Sequence, residues 1–180
     1  EQKLITTLHT QTARMSQMLI DLLEISRIGN DDPPLLESVD VRTLCLDAIH
    51  IRNLPNNLVI GTTQVIRTDT RRFERIVGNL IDNANRHGGG VKAVRIEQCP
   101  FPKEGYVRVC VEDNGPGIPA GEVDRLFEPF TRGEDAKETS GAGLGLAIAF
   151  EQAHLLGITV EFESPASGGS RFVIEIPPAL

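Results

Sequence analysis

Apolar and polar positions along this chain follow two periods, and the changes of period divide it. From Glu1 to about Gly29, Leu4, Gln11, Met18 and Ile25 fall seven residues apart, with Leu8, Met15 and Leu22 between them. That heptad spacing predicts one long helix with a seam for another helix; an amphipathic helix packed on its own domain is the alternative. Asn30-Asp31-Asp32-Pro33-Pro34 stops any helix and predicts a linker at 30–34, so 1–29 separates from a domain over 35–180.

In the second part, "LLESV" is a short strand candidate and Asp40 a cap for a helix running to about Arg52. "LVIGTTQVIRTD" predicts one or two strands, and Asp69 caps the next helix, which runs to about His87. Its Phe73, Ile76, Val77, Leu80, Ile81 and Ala84 form a single stripe at helical spacing. "VKAVRIEQ" and "GYVRVCVED" read as strands joined by a Pro-containing turn, the second alternating Val107, Val109 and Val111 with Arg108 and Cys110. An irregular stretch from Asn114 to Ser140 holds a short helix around Glu122 to Leu126. A helix begun by glycines, "ITVEFES", a turn at "SPASGGS" and "RFVIEI" complete the chain. This order predicts an α/β (α+β) two-layer sandwich, a mixed sheet of about five strands packed on three helices, preceded by one long N-terminal helix.

Composition narrows what such a domain can bind. The formal net charge of -7 argues against a nucleic-acid surface, because that affinity rests on neutralising phosphates with Lys and Arg. Cys45, Cys99 and Cys110 show no paired spacing, which fits a reducing compartment and neither zinc nor a disulfide framework. No run of about 18 apolar residues predicts a membrane helix. The chain opens in mid-helix without Met, so a longer parent is expected.

The chemistry concentrates in four places. At about 100° per residue from Phe73, the apolar arc of the Asp69 helix runs from roughly 300° to about 80°, and Asn79, Asn83 and Arg86 fall at about 240°, about 280° and about 220°. Two carboxamides beside an arginine on one flank can offer oxygen to a hard cation and donors to phosphate; solvated asparagines are the alternative. "DNGPGI" holds the Asp113 carboxylate at a strand end beside Gly115, Gly117 and Ile118, where it can accept from an exocyclic amine. "RLFEPFTR" sets Phe127 and Phe130 beside Arg132. In "GAGLGLAIAF", Gly141, Gly143 and Gly145 open a helix with unpaired N–H groups, a setting for polyphosphate.

Together "NLIDNANRHG", "DNGPGI", "LFEPFTR" and "GAGLGLAI" resemble the N, G1, F and G2 boxes of the ATP-binding catalytic domain of two-component sensor histidine kinases, in order and spacing. "GGSRFVIEIP" resembles that family's closing element, and "MLIDLLEISRI" the end of its second dimerisation helix. The resemblance implies ATP and Mg²⁺ as cofactors, with Asp113 on the adenine amine, Ser170 near the same edge, and Asn83 with Asn79 on the metal. It implies that Arg86, His87 and Arg132 face the phosphates, with Arg86 and Arg132 catalytic, and that Phe127 to Ser140 form a lid. Gly141, Gly143, Leu144, Gly145 and Leu146 would line the phosphate cradle. Related hydrolases carry Glu where this chain has Asn79, and an amide cannot act as a general base, so transfer to a protein side chain is expected over rapid hydrolysis.

The family's acceptor histidine is followed by an acidic residue, whereas His9, His50, His87 and His154 precede Thr10, Ile51, Gly88 and Leu155. The acceptor is therefore expected outside this chain, and self-phosphorylation is not. The resemblance further implies a homodimer through the N-terminal helix, a response-regulator partner, and a cytoplasmic position below a membrane-anchored sensor. An anti-sigma-factor-type serine kinase of the same fold and a non-catalytic nucleotide-binding scaffold remain the alternatives.

Overall fold

The structure, a computed structural model, describes residues 2–27, 33–99, 102–131 and 143–178. Helix α1 covers Gln2–Arg27. After it come β1 (Glu37–Asp40), α2 (Val41–Ile51), β2 (Val59–Gly61), β3 (Val65–Thr68) and α3 (Thr70–His87), then β4 (Val91–Gln98) and β5 (Val107–Asp113). The short α4 (Ala120–Val123), α5 (Gly145–Leu155), β6 (Thr159–Glu163) and β7 (Arg171–Ile176) follow.

Five strands form a mixed sheet in the order β2-β4-β5-β7-β6, and β1 pairs with β3 in a separate two-stranded ribbon. β2 runs parallel to β4, and the other pairs of the large sheet are antiparallel. Helices α2, α3 and α5 cover one face, so the expected two-layer sandwich is the observed one, with the ribbon as an addition. The core lies between the layers: Phe73, Ile76, Leu80 and Ile81 of α3 are fully buried against Val94, Val109, Phe172 and Ile174 of the sheet.

Local chemistry sets the boundaries. Asp40 starts α2 by accepting the Arg42 N–H at 3.0 Å, and Asp69 starts α3 by accepting the Arg72 N–H at 3.1 Å. Strand β1 begins two residues later than "LLESV" implies, because the Leu35 N–H is drawn instead to Asp69 Oδ2 at 3.0 Å. The short helix also lies earlier than expected. It forms directly after Pro119, whose ring presets φ at -57°, and from Arg125 onward the chain continues in i→i+3 turns to Glu122 and Val123.

The valine alternation of β5 points Val107, Val109 and Val111 into the core, yet Cys110 and Glu112 on the opposite face are buried too. Arginines from neighbouring strands cover them. Glu112 Oε1 accepts from Arg95 Nε at 3.1 Å and pairs with Arg171 Nη2 at 2.8 Å, Arg108 pairs with Glu163 at 2.6 Å and Glu175 at 3.3 Å, and Lys103 reaches Glu175. An ionic layer thus roofs the sheet face that has no helices.

Candidate functional site

The site forms where the C-terminal end of β5, the flank of α3 and the N-terminus of α5 meet. Asp113, 4 % exposed, closes β5. Its Oδ1 accepts the N–H groups of Gly115 and Ser170, each at 2.9 Å, while its own N–H donates to the Ser170 carbonyl at 3.0 Å. Both bonds fall on one oxygen. Oδ2 accepts none among the described residues, so the carboxylate is fixed in orientation with one acceptor to spare.

Glycines wall this carboxylate. A Cβ on Gly88 would lie 2.4 Å from Asp113 Cβ and Cγ, and one on Gly169 would lie 2.3 Å from the Asp113 carbonyl oxygen. Gly169 also holds φ at +81°, which an L side chain resists. Sequence reasoning missed both as site residues. Their signal was present in "RHGGG" and "SGGS", but a glycine cluster reads as a turn until its spatial neighbour is known. Asn114 joins these loops, its N–H donating to the Gly88 carbonyl at 2.9 Å.

On α3, Asn79 and Asn83 are half-buried, and Arg86 and His87 are exposed in its last turn. The Asn79 Nδ2 amide is buried without a hydrogen-bond partner among the described residues, an expensive arrangement unless a ligand completes it. Its Oδ1 lies at the head of α5: a Cβ built on Gly145 would be 3.8 Å away. Helix α5 begins at Gly145 after the N-cap Leu144, and among the described residues no side chain caps its first N–H groups.

Phe127 stacks on Phe150 of α5 at 5.0 Å and meets Phe172 edge-on at 6.4 Å. It therefore seats the segment after α4 on the core. Phe130 is exposed with φ at +64°, and its N–H donates to the Gly143 carbonyl at 3.0 Å. Gly117 and Ile118 follow Asp113 at the rim. Arg132, Ser140 and Gly141 lie outside the described residues.

Among the described residues the site thus offers a carboxylate with one oxygen unoccupied, two carboxamides on an adjacent helix and a glycine-led helix start, a set able to bind a polar, phosphate-bearing ligand. Comparison with known proteins decides the family. The model of the histidine kinase-, DNA gyrase B- and HSP90-like ATPases matches residues 68–180. The chain belongs to this family.

Among its relatives in the ATPase family, the signal transduction histidine-protein kinase AfsQ2 of Streptomyces coelicolor is 34% identical over 175 residues, 93% of this chain and 31% of that protein. The sensor-type histidine kinase PrrB of Mycobacterium tuberculosis is 41% identical over 125 residues, 69% of this chain and 27% of that protein. This chain thus spans less than a third of either relative. The solved ATP-binding domain of the M. tuberculosis PrrB superposes with a TM-score of 0.60 at 30% identity, covering 83% of this chain and all of that domain. No helix among the described residues is long and apolar enough to cross a membrane.

Proposed function

We propose that this chain is the ATP-binding catalytic part of a sensor histidine kinase, transferring the ATP γ-phosphate to a histidine on a dimerisation helix outside it, for relay to a response regulator. The observation that carries this reading is the Asp113 carboxylate, locked through Oδ1 by two backbone N–H groups so that Oδ2 can accept the adenine amine. Mg²⁺ fits the donor set on α3: Asn83 and Asn79 offer neutral hard oxygens, and the orphaned Asn79 amide supports a ligand beside it. When bound, Mg²⁺ neutralises phosphate charge; this chain's residues bind and orient the nucleotide.

Arg86, His87 and Arg132 face the phosphates, with the two arginines supplying positive charge to them. Gly143, Leu144, Gly145 and Leu146 present backbone to them. Asn79 stands where a hydrolase of this fold needs a carboxylate base, so the reading favours transfer over hydrolysis. Residues 1–29 serve as the second helix of a dimerisation domain and 35–180 as the catalytic domain. Exposed Leu8, Met15, Met18 and Leu22 support a homodimer through α1. The parent would be a membrane-anchored sensor with this part in the cytoplasm.

Calorimetry with Mg²⁺ and ATP tests the assignment. The intact chain binds, and folded Asp113→Asn, which replaces the oxygen acceptor's charge and half its lone pairs, loses at least about tenfold in affinity, the scale of one charge-assisted hydrogen bond. Equal affinity in the folded variant overturns the adenine assignment. Supplying an acceptor helix in trans then reads phosphoryl transfer directly.

A further inference from the structure

The ligand-bearing helix is held from a second side by a residue distant in sequence. Arg52, at the C-cap of α2, donates through Nε to Asp82 Oδ1 at 2.8 Å and through Nη2 to Asp82 Oδ2 at 2.9 Å, a two-pronged pairing. Its Nη1 donates to the Ala48 carbonyl at 3.0 Å, so the same guanidinium also caps α2. To reach Asp82 it crosses the backbone of α3 at Gly78. A Cβ there would lie 2.5 Å from Nη2, and Gly78 is buried because the guanidinium covers it.

Gly78 and Asp82 immediately precede Asn79 and Asn83. Counted from Phe73 on the helix they fall at about 140° and about 180°, with the core stripe centred at about 10° and the asparagines at about 240° and about 280°. The core and Arg52 thus grip two flanks and leave the third for ligands. Side-chain tips lie about 6 Å from a helix axis, so a roll of about 10° moves them by about 1 Å. A displacement of that size is enough to spoil an oriented ligand set.

We infer that Arg52 is a positioning residue, fixing the roll of α3 through Asp82 so that Asn79 and Asn83 face the cation and phosphates; this rests on the proposed ligand role of the two asparagines. The planar fork matters, since a lysine cannot span both carboxylate oxygens while capping α2. The glycine at position 78 is the complementary half of the device.

The test measures the affinity of the chain for AMPPNP with and without Mg²⁺, and takes the ratio as the cation's contribution. A merely structural role lowers thermal stability and leaves that ratio alone. In Arg52→Gln the ratio falls about tenfold, the lower end of what losing an outer-shell support costs a metal site, and Arg52→Lys restores part of it. Adenosine affinity, read by Asp113, stays unchanged. The side-chain amide resonances of Asn79 and Asn83 shift in the nucleotide-free variant, reporting the roll without any ligand. If Arg52→Gln does not fold, Asp82→Asn gives the same reading with the shape retained. An unchanged ratio and unmoved amide resonances in a folded variant overturn the inference. Mg²⁺-independent affinity in the unaltered chain overturns the asparagine assignment itself and takes the inference with it.

Discussion

Asp113 shows how a common residue becomes a specific one. A carboxylate at a strand end is ordinary, but here two backbone N–H groups occupy Oδ1 and the backbone at glycines 88, 115 and 169 packs so closely around it that a Cβ at any of the three would collide. Gly88→Ala is the sharpest probe, because residue 88 has φ at -95° and any penalty comes from the new methyl alone. Overpacking predicts a loss of about 1–3 kcal/mol in urea unfolding, together with weaker nucleotide binding. The cysteines are the opposite case. Burial pushes the Cys110 thiol up to about 11 and Cys45 up to about 12. At pH 8 the Cys110 thiolate fraction is then only about one in a thousand, so iodoacetamide labels neither residue in the folded chain and both in urea, as mass spectrometry would read.

Among the elements, α3 was the most legible from sequence. Its apolar stripe and its Asp69 cap are local signals, and both stand as expected. Asp69 also does something no local pattern reveals: Oδ2 accepts the Leu35 N–H, tying the start of the domain to the start of α3. Asp69→Ala therefore removes a cap and an anchor together, with an expected loss of about 1–2 kcal/mol measured by the urea midpoint at constant slope. The same bond explains why β1 starts late. Short elements such as β1 and α4 carry too few residues for periodicity to place them, so a single long-range bond or a proline moved their ends.

At the scale of the whole molecule, the ionic roof on the sheet makes stability depend on pH. Burial pushes the Glu163 carboxyl up, but hydrogen bonds from Arg108 and Arg171 outweigh it and hold the group below its ordinary value of 4.5. A lowered native value means that its stabilisation is complete above about 4.5 and is lost as the pH falls through the native value. The urea midpoint of the intact chain exceeds that of Glu163→Gln near neutrality, and the difference closes in acid; a constant difference would place the effect in packing. No sequence pattern announces this roof, since its charges come from two hairpins, β4–β5 with its connection and β6–β7, that meet only through the long-range pairing of β5 with β7. By itself the sequence determined the order of elements and the core face of α3, because periodicity and capping are encoded within a turn or two of chain, and its four motifs carried the resemblance that pointed to the family. Tertiary structure alone decided which glycines wall Asp113, that Asn79 abuts the head of α5, and that Arg52 lies across Gly78. Those are close approaches between backbones far apart in the chain, and only packing to near-solid density brings them within van der Waals reach.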